Sequence, residues 1–395
     1  MRHRNTFAVL TILVATTATA AIPSKAVQDL RRHFMEPEVN ALTFHEIDKI
    51  FDTKPVPRGA RSTPLQGTDH PLNFTYTVGG KQIPAEDALE RTFTNALIII
   101  KDGRIVAERY RNYTDRQSRF LSMSMAKSVT SILVGIAMDQ GKIASLDDQV
   151  TKYVPELKGT AYDGVTLRNA IDMKTGVDRD DNAQLKPGTP DAAMREKILI
   201  TGEKPASYEA ALVKRKAPPG QAFEYSTLNT TVMGWVLERA TGVPYITFMT
   251  DYLWKPLGAE SDGFWMMAGQ GGEAAPVPGM GFNATLRDYA RIGLLMLNKG
   301  RAEGKQIVSE RWVAESTEGP HTPNSPGAAF GYRHFWWTIP GSPVFEARGL
   351  QGQNIYVDPA TRTVIVKLSY EPLDNHQAGE ESQAFYRAAS AWSGR

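Results

Sequence analysis

A serine and a lysine three residues apart, Ser124 and Lys127, are the residues of this chain best suited to nucleophilic chemistry. Residues at this spacing share one face of a helix, so the lysine amine can lie beside the serine hydroxyl. A serine attacks only after a base takes its proton, and an amine can be that base only when uncharged. Burial or a nearby cation could lower the lysine pKa from about 10.4 toward 7. The pair predicts a buried nucleophile and its base; the alternative is a chance pattern on an ordinary helix.

The residues that follow the pair predict the helix that it needs. Gly141, beside Lys142, would end that helix in a left-handed turn. Ser124 would lie at the N-terminal end, where unpaired N–H groups favour an anion. One segment could thus supply a nucleophile, a base and half of an oxyanion hole. Apolar residues recur at the spacing of one buried helical face, at Val129, Ile132, Leu133 and Ile136.

Tyr225 is the best candidate for a third group that relays the proton. It follows the turn Pro218-Pro219-Gly220 and precedes a predicted helix at 228–241. The alternative is a loop tyrosine that caps this helix.

The elements around these residues predict an α/β fold of the α+β type. Two hairpins are expected, one at 96–107 with its turn at Asp102-Gly103 and one at 353–369 with its turn at 358–361. A final helix at 377–392 should pack across the second hairpin, and 286–298 adds a helix to the middle of the chain. We therefore expect one antiparallel sheet, built from N- and C-terminal segments and flanked by helices, with a mostly helical region at about 120–300 inserted.

The N-terminus has the three parts of a secretory signal peptide. Arg2, His3 and Arg4 precede an apolar run at 7–15, which is short for a membrane span, and Ala18-Thr19-Ala20 follows. We predict a signal peptide at 1–20, cleavage after Ala20 and a periplasmic or secreted protein; the alternative is an uncleaved anchor. An N-terminal extension at 21–75, with a short helix around 27–35, would precede a catalytic domain at 76–395.

Composition narrows the class of partner. The chain of 395 residues has 45 Lys and Arg against 43 Asp and Glu, and loss of the leader with Arg2 and Arg4 leaves 43 of each. Such a balance argues against nucleic acid and against stable membrane association, and favours a small-molecule substrate. No cysteine is present, so a hydrophobic core must stabilise the fold. The seven histidines have no paired ligand spacing and Asp178–Asn182 lacks the glycine of a calcium loop, so we expect neither metal nor cofactor.

From about residue 96 to its C-terminus, the chain resembles the serine hydrolases of the class C β-lactamase and penicillin-recognising superfamily. Within it, the chain looks like the 6-aminohexanoate-dimer hydrolases and related esterases. The resemblance implies a β-lactamase-like fold with Ser124 as nucleophile, Lys127 as base and Tyr225 as proton relay. It also implies an oxyanion hole formed by the N–H groups of Ser124 and Leu350, and a cleft bordered by Asp181. The matching segments are 127–131, 254–258, 283–288 and 352–359.

The sequence departs from the superfamily at two motifs. The tyrosine motif ends in Thr227, which cannot offer an amide to a substrate carbonyl. Lys174-Thr175-Gly176 matches the K-T-G motif in letters, but it precedes the tyrosine, so the counterpart should be Ala347-Arg348-Gly349. The usual strand lysine or histidine is then missing, and Arg348 could replace it only by pointing inward, whereas strand alternation turns it away from its neighbours. Glycine at 349 would let the substrate backbone approach closely. The predicted substrate-binding residues are Asp181, Thr227, Arg348 and Gly349.

We therefore expect an exported serine hydrolase that forms an acyl-enzyme on Ser124 and cleaves an amide or ester in a small substrate. Alternatives are a β-lactamase, a D-amino-acid peptidase, or a catalytically silent relative that only binds small molecules. Substrate and oligomeric state stay open. The aromatic segment 332–337 could line the cleft, but strand propensity favours Phe335 and Trp337 as core residues of a strand.

Overall fold

The computed structural model describes residues 22–318, 322–323 and 329–395, so the predicted signal peptide at 1–20 lies outside the described residues. None of the helices in this part of the chain has the length and apolar composition that crossing a membrane requires. The helices are α1 (Lys25–His33), α2 (Asn40–Thr43), α3 (Ala88–Arg91), α4 (Met125–Asp139), α5 (Val150–Tyr153), α6 (Leu167–Ile171), α7 (Pro190–Arg195), α8 (Thr227–Thr241), α9 (Tyr245–Met249), α10 (Leu286–Leu297), α11 (Glu310–Thr317) and α12 (His376–Ala391).

The strands form two larger antiparallel sheets and two short hairpins. The eight-stranded sheet has the order β12-β13-β14-β15-β16-β17-β4-β5, and the five-stranded sheet has the order β1-β7-β9-β6 with β8 beside β7. The strands are β1 (Thr53–Val56), β2 (Thr75–Val78), β3 (Lys81–Pro84), β4 (Thr94–Lys101), β5 (Arg104–Tyr110), β6 (Arg119–Leu121), β7 (Gly263–Ala268), β8 (Ala275–Pro276), β9 (Phe282–Thr285), β10 (Arg301–Ala302), β11 (Lys305–Gln306), β12 (Thr322–Pro323), β13 (Gly331–Arg333), β14 (Trp336–Thr338), β15 (Phe345–Gly349), β16 (Gln353–Asp358) and β17 (Thr363–Ser369).

The eight-stranded sheet joins the two ends of the catalytic region. Strand β4 pairs with β17, so that Ile99 lies opposite Ile365. Both faces of this sheet are covered, because Ile98 packs into the cluster formed with α4 and α10, whereas Ile99 packs into the cluster formed with α12. The unbroken apolar run of β4 follows from this two-sided burial. The antiparallel sheet from distant segments is confirmed, and so are both hairpins and the terminal helix.

Helix α4 differs from the amphipathic helix that its sequence predicts. Every residue from Met125 to Ala137 is buried, because α4 lies between the sheet and α8. Its polar side chains use acceptors in the chain: the Ser128 hydroxyl donates to the Phe335 carbonyl at 2.7 Å. Gly141 has a φ of 68°, as a left-handed helix end requires. The helix is thus a core element, enclosed on all sides as far as Ala137, and only its last two residues reach the surface.

The five-stranded sheet was not expected, because its strands β7 and β9 lie inside the region predicted to be mostly helical. Its edge strand β1 comes from the N-terminal segment, with Thr53 opposite Met266. The same segment places Phe34, Phe44 and Phe51 in one buried cluster. The N-terminal segment therefore packs into the body of the molecule, while the proposed division at residue 75 stays a prediction.

Candidate active site

Ser124 lies at the end of a tight connection between β6 and α4. Ser122 donates its amide to the Phe282 carbonyl at 2.8 Å, which ties the connection to β9. Met123 then takes a left-handed conformation with a φ of 45°, which is unfavourable for a residue with a Cβ. Ser124 follows as the N-cap of α4. This turn sets the serine hydroxyl at the helix N-terminus, where sequence reasoning expected it.

Lys127 is 1% exposed, and its ammonium group lies directly beneath the serine. Lys127 Nζ is 2.9 Å from Ser124 Oγ, 2.9 Å from Thr227 Oγ1 and 2.9 Å from the Gly279 carbonyl oxygen. Burial lowers the pKa of Lys127 to about 8, although the carboxylate of Asp181 acts in the opposite direction. A substantial fraction of the amine is therefore uncharged slightly above neutral pH, as a base for serine requires.

Tyr225 is the second titratable group beside Ser124, whose hydroxyl acts on the tyrosine pKa. Burial raises its pKa well above the usual value, so the phenol keeps its proton at neutral pH. Lys127 Nζ lies 4.9 Å from the centre of the tyrosine ring. Trp337 packs beside the same ring, with 5.6 Å between centroids. The serine hydroxyl thus lies between an amine that can lose its charge and a phenol that stays neutral.

Thr227 links Lys127 to the acidic loop. Its hydroxyl donates to Asp181 Oδ2 at 2.5 Å, and its backbone amide donates to the same oxygen at 2.8 Å. Because that hydroxyl hydrogen goes to Asp181, the threonine oxygen is left to accept from Lys127. Arg179 holds the other side of the loop, with Nη1 3.9 Å from Asp181 Oδ1. Asp181 and Thr227 were predicted as substrate-binding residues; both line the cavity, and both also support the lysine.

The two predicted oxyanion-hole amides both lie at the cavity. Among the described residues, the N–H groups of Ser124 and Leu350 donate no hydrogen bond, and both residues line the catalytic cavity. Leu350 begins a short turn in which Gln351 has a φ of 58°. Gly349 precedes it, and a Cβ there would lie 2.5 Å from the Ser122 carbonyl oxygen, while the close approach of a substrate backbone stays a prediction. The close approach of β15 to the nucleophile segment thus requires this glycine.

Arg348 lies on the strand face that alternation predicts, the face it shares with Glu346, and its long side chain still lines the cavity. Its guanidinium lies 4.1 Å from the centre of the Phe330 ring and 5.9 Å from that of Trp337. Nη1 is also 3.6 Å from a Glu346 carboxylate oxygen. Ala347, which stands where a strand lysine or histidine would be, is fully buried. The positively charged residue of this strand therefore lies one position after the one expected from the superfamily motif. Its guanidinium already contacts two aromatic rings and a carboxylate.

The cavity has a volume of about 250 Å³ and largely apolar walls. All the predicted site residues line it except Lys127, which lies beneath Ser124. Sequence reasoning missed several of its walls, because Phe34 and Met35 come from the N-terminal segment and Arg195 and Leu199 from α7 and the turn after it. For the aromatic segment 332–337, the prediction of two core residues in a strand is only partly right. Phe335 is a core residue, but it lies just before strand β14 and has a φ of 65°. Trp337 lines the cavity. The described residues hold no cluster of metal-ligating side chains.

The Lys174-Thr175-Gly176 segment has a structural role. The Thr175 hydroxyl donates to Asn229 Oδ1 at 3.1 Å. Gly176 has a φ of 71°, and a Cβ there would lie 2.1 Å from the Ala217 carbonyl oxygen. None of the three residues lines the catalytic cavity.

Comparison with known proteins places the chain in a family. The family model described as "Beta-lactamase" matches residues 87–384. The chain is 31% identical over 345 residues to 6-aminohexanoate-dimer hydrolase of Paenarthrobacter ureafaciens, covering 84% of this chain and 86% of that protein.

Two solved structures show the same fold. A Bacillus anthracis protein provisionally named 6-aminohexanoate-dimer hydrolase superposes with a TM-score of 0.82 at 23% identity, covering 94% of this chain and 98% of that one. The hydrolase EstCE1, described as having promiscuous acyltransferase activity, superposes with a TM-score of 0.63 at 16% identity, covering 78% of this chain and 96% of that one. The match over residues 87–384 and the identity to a curated hydrolase over most of both chains establish that this chain belongs to the β-lactamase family, as a serine hydrolase related to 6-aminohexanoate-dimer hydrolase.

Proposed function

We propose that this chain is an exported hydrolase that forms an acyl-enzyme on Ser124 and cleaves an amide or ester bond in a small substrate. The observation that carries the proposal is the 2.9 Å contact between Lys127 Nζ and Ser124 Oγ, made by a buried lysine with a pKa of about 8. Burying the charge of a lysine beside a serine costs free energy, and a relative without catalytic activity would gain nothing from this arrangement. The predicted leader at 1–20 supports export to the periplasm or medium.

The geometry supports the following sequence of proton transfers. Neutral Lys127 takes the hydroxyl proton of Ser124 as Oγ attacks the substrate carbonyl carbon. The N–H groups of Ser124 and Leu350 stabilise the negative oxygen that develops there. The proton then passes through the Tyr225 phenol to the leaving nitrogen or oxygen, and the carbon–nitrogen or carbon–oxygen bond breaks. Water attacks the resulting ester, returns the serine hydroxyl and releases the acid.

Small chain-like amides and esters suit this cavity better than β-lactams do. The walls are apolar, and the curated relative is named for the dimer of an amino acid with a long methylene chain. Binding of a β-lactam would also require a cation on the strand facing the nucleophile, to hold the carboxylate, and a side-chain amide two residues after the tyrosine. Here those positions hold the buried Ala347 and Thr227, whose hydroxyl is bound to Asp181. A β-lactamase or D-amino-acid peptidase is therefore the weaker alternative.

One substrate panel tests the proposal. Purified protein and Ser124→Ala are assayed on p-nitrophenyl butyrate, nitrocefin and a short 6-aminohexanoate oligomer, with intact-mass spectrometry to detect the acyl-enzyme. We expect butyrate ester turnover to exceed nitrocefin turnover, since a lost charge-assisted hydrogen bond is worth about 1.5 to 3 kcal/mol. Ser124→Ala should fold normally and lose turnover and acylation together. Full esterase activity in Ser124→Ala, or nitrocefin as the better substrate, would contradict the proposal.

A further inference from the structure

A buried ion pair that the proposed reaction does not use lies against the turn Leu350–Gly352. Lys367 lies on β17 and is 2% exposed, and Glu371, just beyond the end of that strand, is 7% exposed. Lys367 Nζ is 3.0 Å from Glu371 Oε1. It also donates to the Thr92 carbonyl at 2.8 Å and to the Ser369 hydroxyl at 2.5 Å. The three donors of the ammonium group therefore have three acceptors, one of which is charged.

Glu371 connects this pair to the turn in three ways. Its amide donates to the Gln351 carbonyl at 3.2 Å, and its own carbonyl accepts from the Gln351 side-chain amide at 3.0 Å. Its carboxylate lies against Gly352, where a Cβ would be 2.4 Å from Oε1. The carboxylate that touches the turn is thus the one that the buried ammonium holds. Movement of this carboxylate would therefore displace the two residues that follow Leu350.

Stability alone is a weak reason for charges at this place. Burial lowers the pKa of Lys367 and Glu371 raises it, so the ammonium depends on its partner. Apolar side chains of similar size often stabilise a fold as well as a buried ion pair does, because taking two charges out of water is costly. Such a pair does fix the position of its partners, since either charge alone would be strongly unfavourable. The segment held here is the turn with the Leu350 N–H, which donates to no group among the described residues.

We propose that Lys367 and Glu371 are positioning residues for the reaction, which hold the turn so that the Leu350 N–H meets the negative oxygen of the transition state. Neither residue lines the catalytic cavity, so both act through the turn. The proposal rests on the hydrolase activity proposed above and adds the means by which its oxyanion hole keeps its shape. Because an oxyanion hole binds the transition state more strongly than the substrate, a displaced turn should lower kcat and leave KM nearly unchanged.

Glu371→Gln tests this proposal, with Glu108→Gln as its matched control. Both changes replace a largely buried carboxylate by a neutral amide of the same shape beside a cation, since Glu108 lies 2.7 Å from Arg287 outside the catalytic cavity. With p-nitrophenyl butyrate, we expect Glu371→Gln to lower kcat by about tenfold to a hundredfold at nearly constant KM. Glu108→Gln should keep kcat. A decrease of kcat in both variants alike, or in neither, would overturn the proposal.

Inhibition by propylboronic acid and by butyrate gives a second measurement. The boron atom accepts the Ser124 oxygen and becomes a tetrahedral anion that resembles the transition state, whereas butyrate binds without forming a bond. Glu371→Gln should bind propylboronic acid at least about tenfold more weakly than the unmodified enzyme does, and should bind butyrate equally well. Equal weakening for both inhibitors would overturn the proposal.

A double variant separates the position of the turn from the stability of the fold. Lys367→Met leaves a buried carboxylate without its partner and should unfold at a lower urea concentration. Adding Glu371→Leu removes the second charge and should restore most of this stability, but kcat should stay at least about tenfold below that of the unmodified enzyme. Recovery of kcat together with stability would show that the pair serves the fold alone. Absence of Ser124-dependent turnover of p-nitrophenyl butyrate by the unmodified enzyme would instead count against the proposed function.

Discussion

Lys127 is under two opposing influences, and the balance between them determines when it can act as a base. Complete burial disfavours the ammonium form, whereas Asp181 favours it, and burial is the larger effect. The three oxygen acceptors at 2.9 Å match the three donors of an ammonium, so the charged form is well solvated by the protein. The resulting pKa of about 8 keeps the lysine able to change charge near physiological pH.

This balance predicts the pH dependence of catalysis. Because the uncharged amine is the base, kcat/KM should rise as pH increases and level off above the lysine pKa of about 8. Asp181→Asn removes the influence that raises this pKa, so the midpoint should move to lower pH. The pH profile of kcat/KM for a neutral ester measures both. Asp180→Asn, which removes an exposed carboxylate from the same loop, is the control and should leave the midpoint in place. An unchanged or higher midpoint in Asp181→Asn would contradict this view.

Lys127 and Tyr225 should behave as one unit. Lys127 contacts the hydroxyl of Ser124, Tyr225 lies beside that hydroxyl, and both residues are proposed to move the same proton. Lys127→Ala and Tyr225→Phe should each lower kcat by about a hundredfold to ten-thousandfold, as loss of a positioned acid or base does. The double variant should lose little more than either single variant. Single-turnover acylation rates give the comparison, and losses that multiply fully would show that the two residues act independently.

At the scale of elements, the sequence predicts best where one local pattern determines the structure. The Ser124–Lys127 spacing, the two hairpins and the C-terminal helix depend on local periodicity and turn residues, and all are found in the structure. The complete burial of α4 was not predictable, because it depends on the partners that cover the helix. Strands β7 and β9 were missed because each pairs with segments far away in the chain, which local patterns do not record.

The turn that carries Leu350 provides a testable prediction at the scale of elements. Gln351 has a φ of 58°, and its side-chain amide donates to the carbonyls of Met35 and Glu371, each at 3.0 Å. Gln351→Leu keeps the size but removes both donors, so the free energy of unfolding should fall by about 1 to 3 kcal/mol. If the turn orients the Leu350 amide, kcat should also fall, by up to about a hundredfold.

Gln306→Leu is the matched control for this turn. Its side-chain amide also donates to two backbone carbonyls, those of Lys299 and Val308, at 2.8 and 2.7 Å, but far from the site in sequence and outside the cavity. It should lose stability and keep kcat. Urea unfolding together with steady-state kinetics separates the two effects. Equal kcat values for the two variants would mean that Gln351 supports the fold alone.

At the scale of the whole molecule, the cavity is assembled from parts of the chain that the sequence does not connect. The family match begins at residue 87, yet Phe34 and Met35, which precede it, form part of the cavity wall. The catalytic groups could be predicted because their chemistry restricts residue type and spacing. The walls could not, since any apolar side chain can fill such a place and only the tertiary fold shows which one does.

This arrangement predicts that the N-terminal segment helps to determine which substrate chain length the enzyme prefers. Phe34 and Phe44 are both buried in one cluster, with ring centroids 6.2 Å apart, but only Phe34 lines the cavity. Phe34→Leu and Phe44→Leu should each lower the free energy of unfolding by about 1 to 3 kcal/mol, because each removes packed core atoms. Only Phe34→Leu enlarges the cavity, so only there should kcat/KM for p-nitrophenyl octanoate rise relative to the butyrate ester. One buried methylene is worth about 1 to 3 kcal/mol, enough for a change of about tenfold. An equal shift in both variants would mean that the cluster acts through general loosening, and the wall formed by the N-terminal segment would then have no part in selecting chain length.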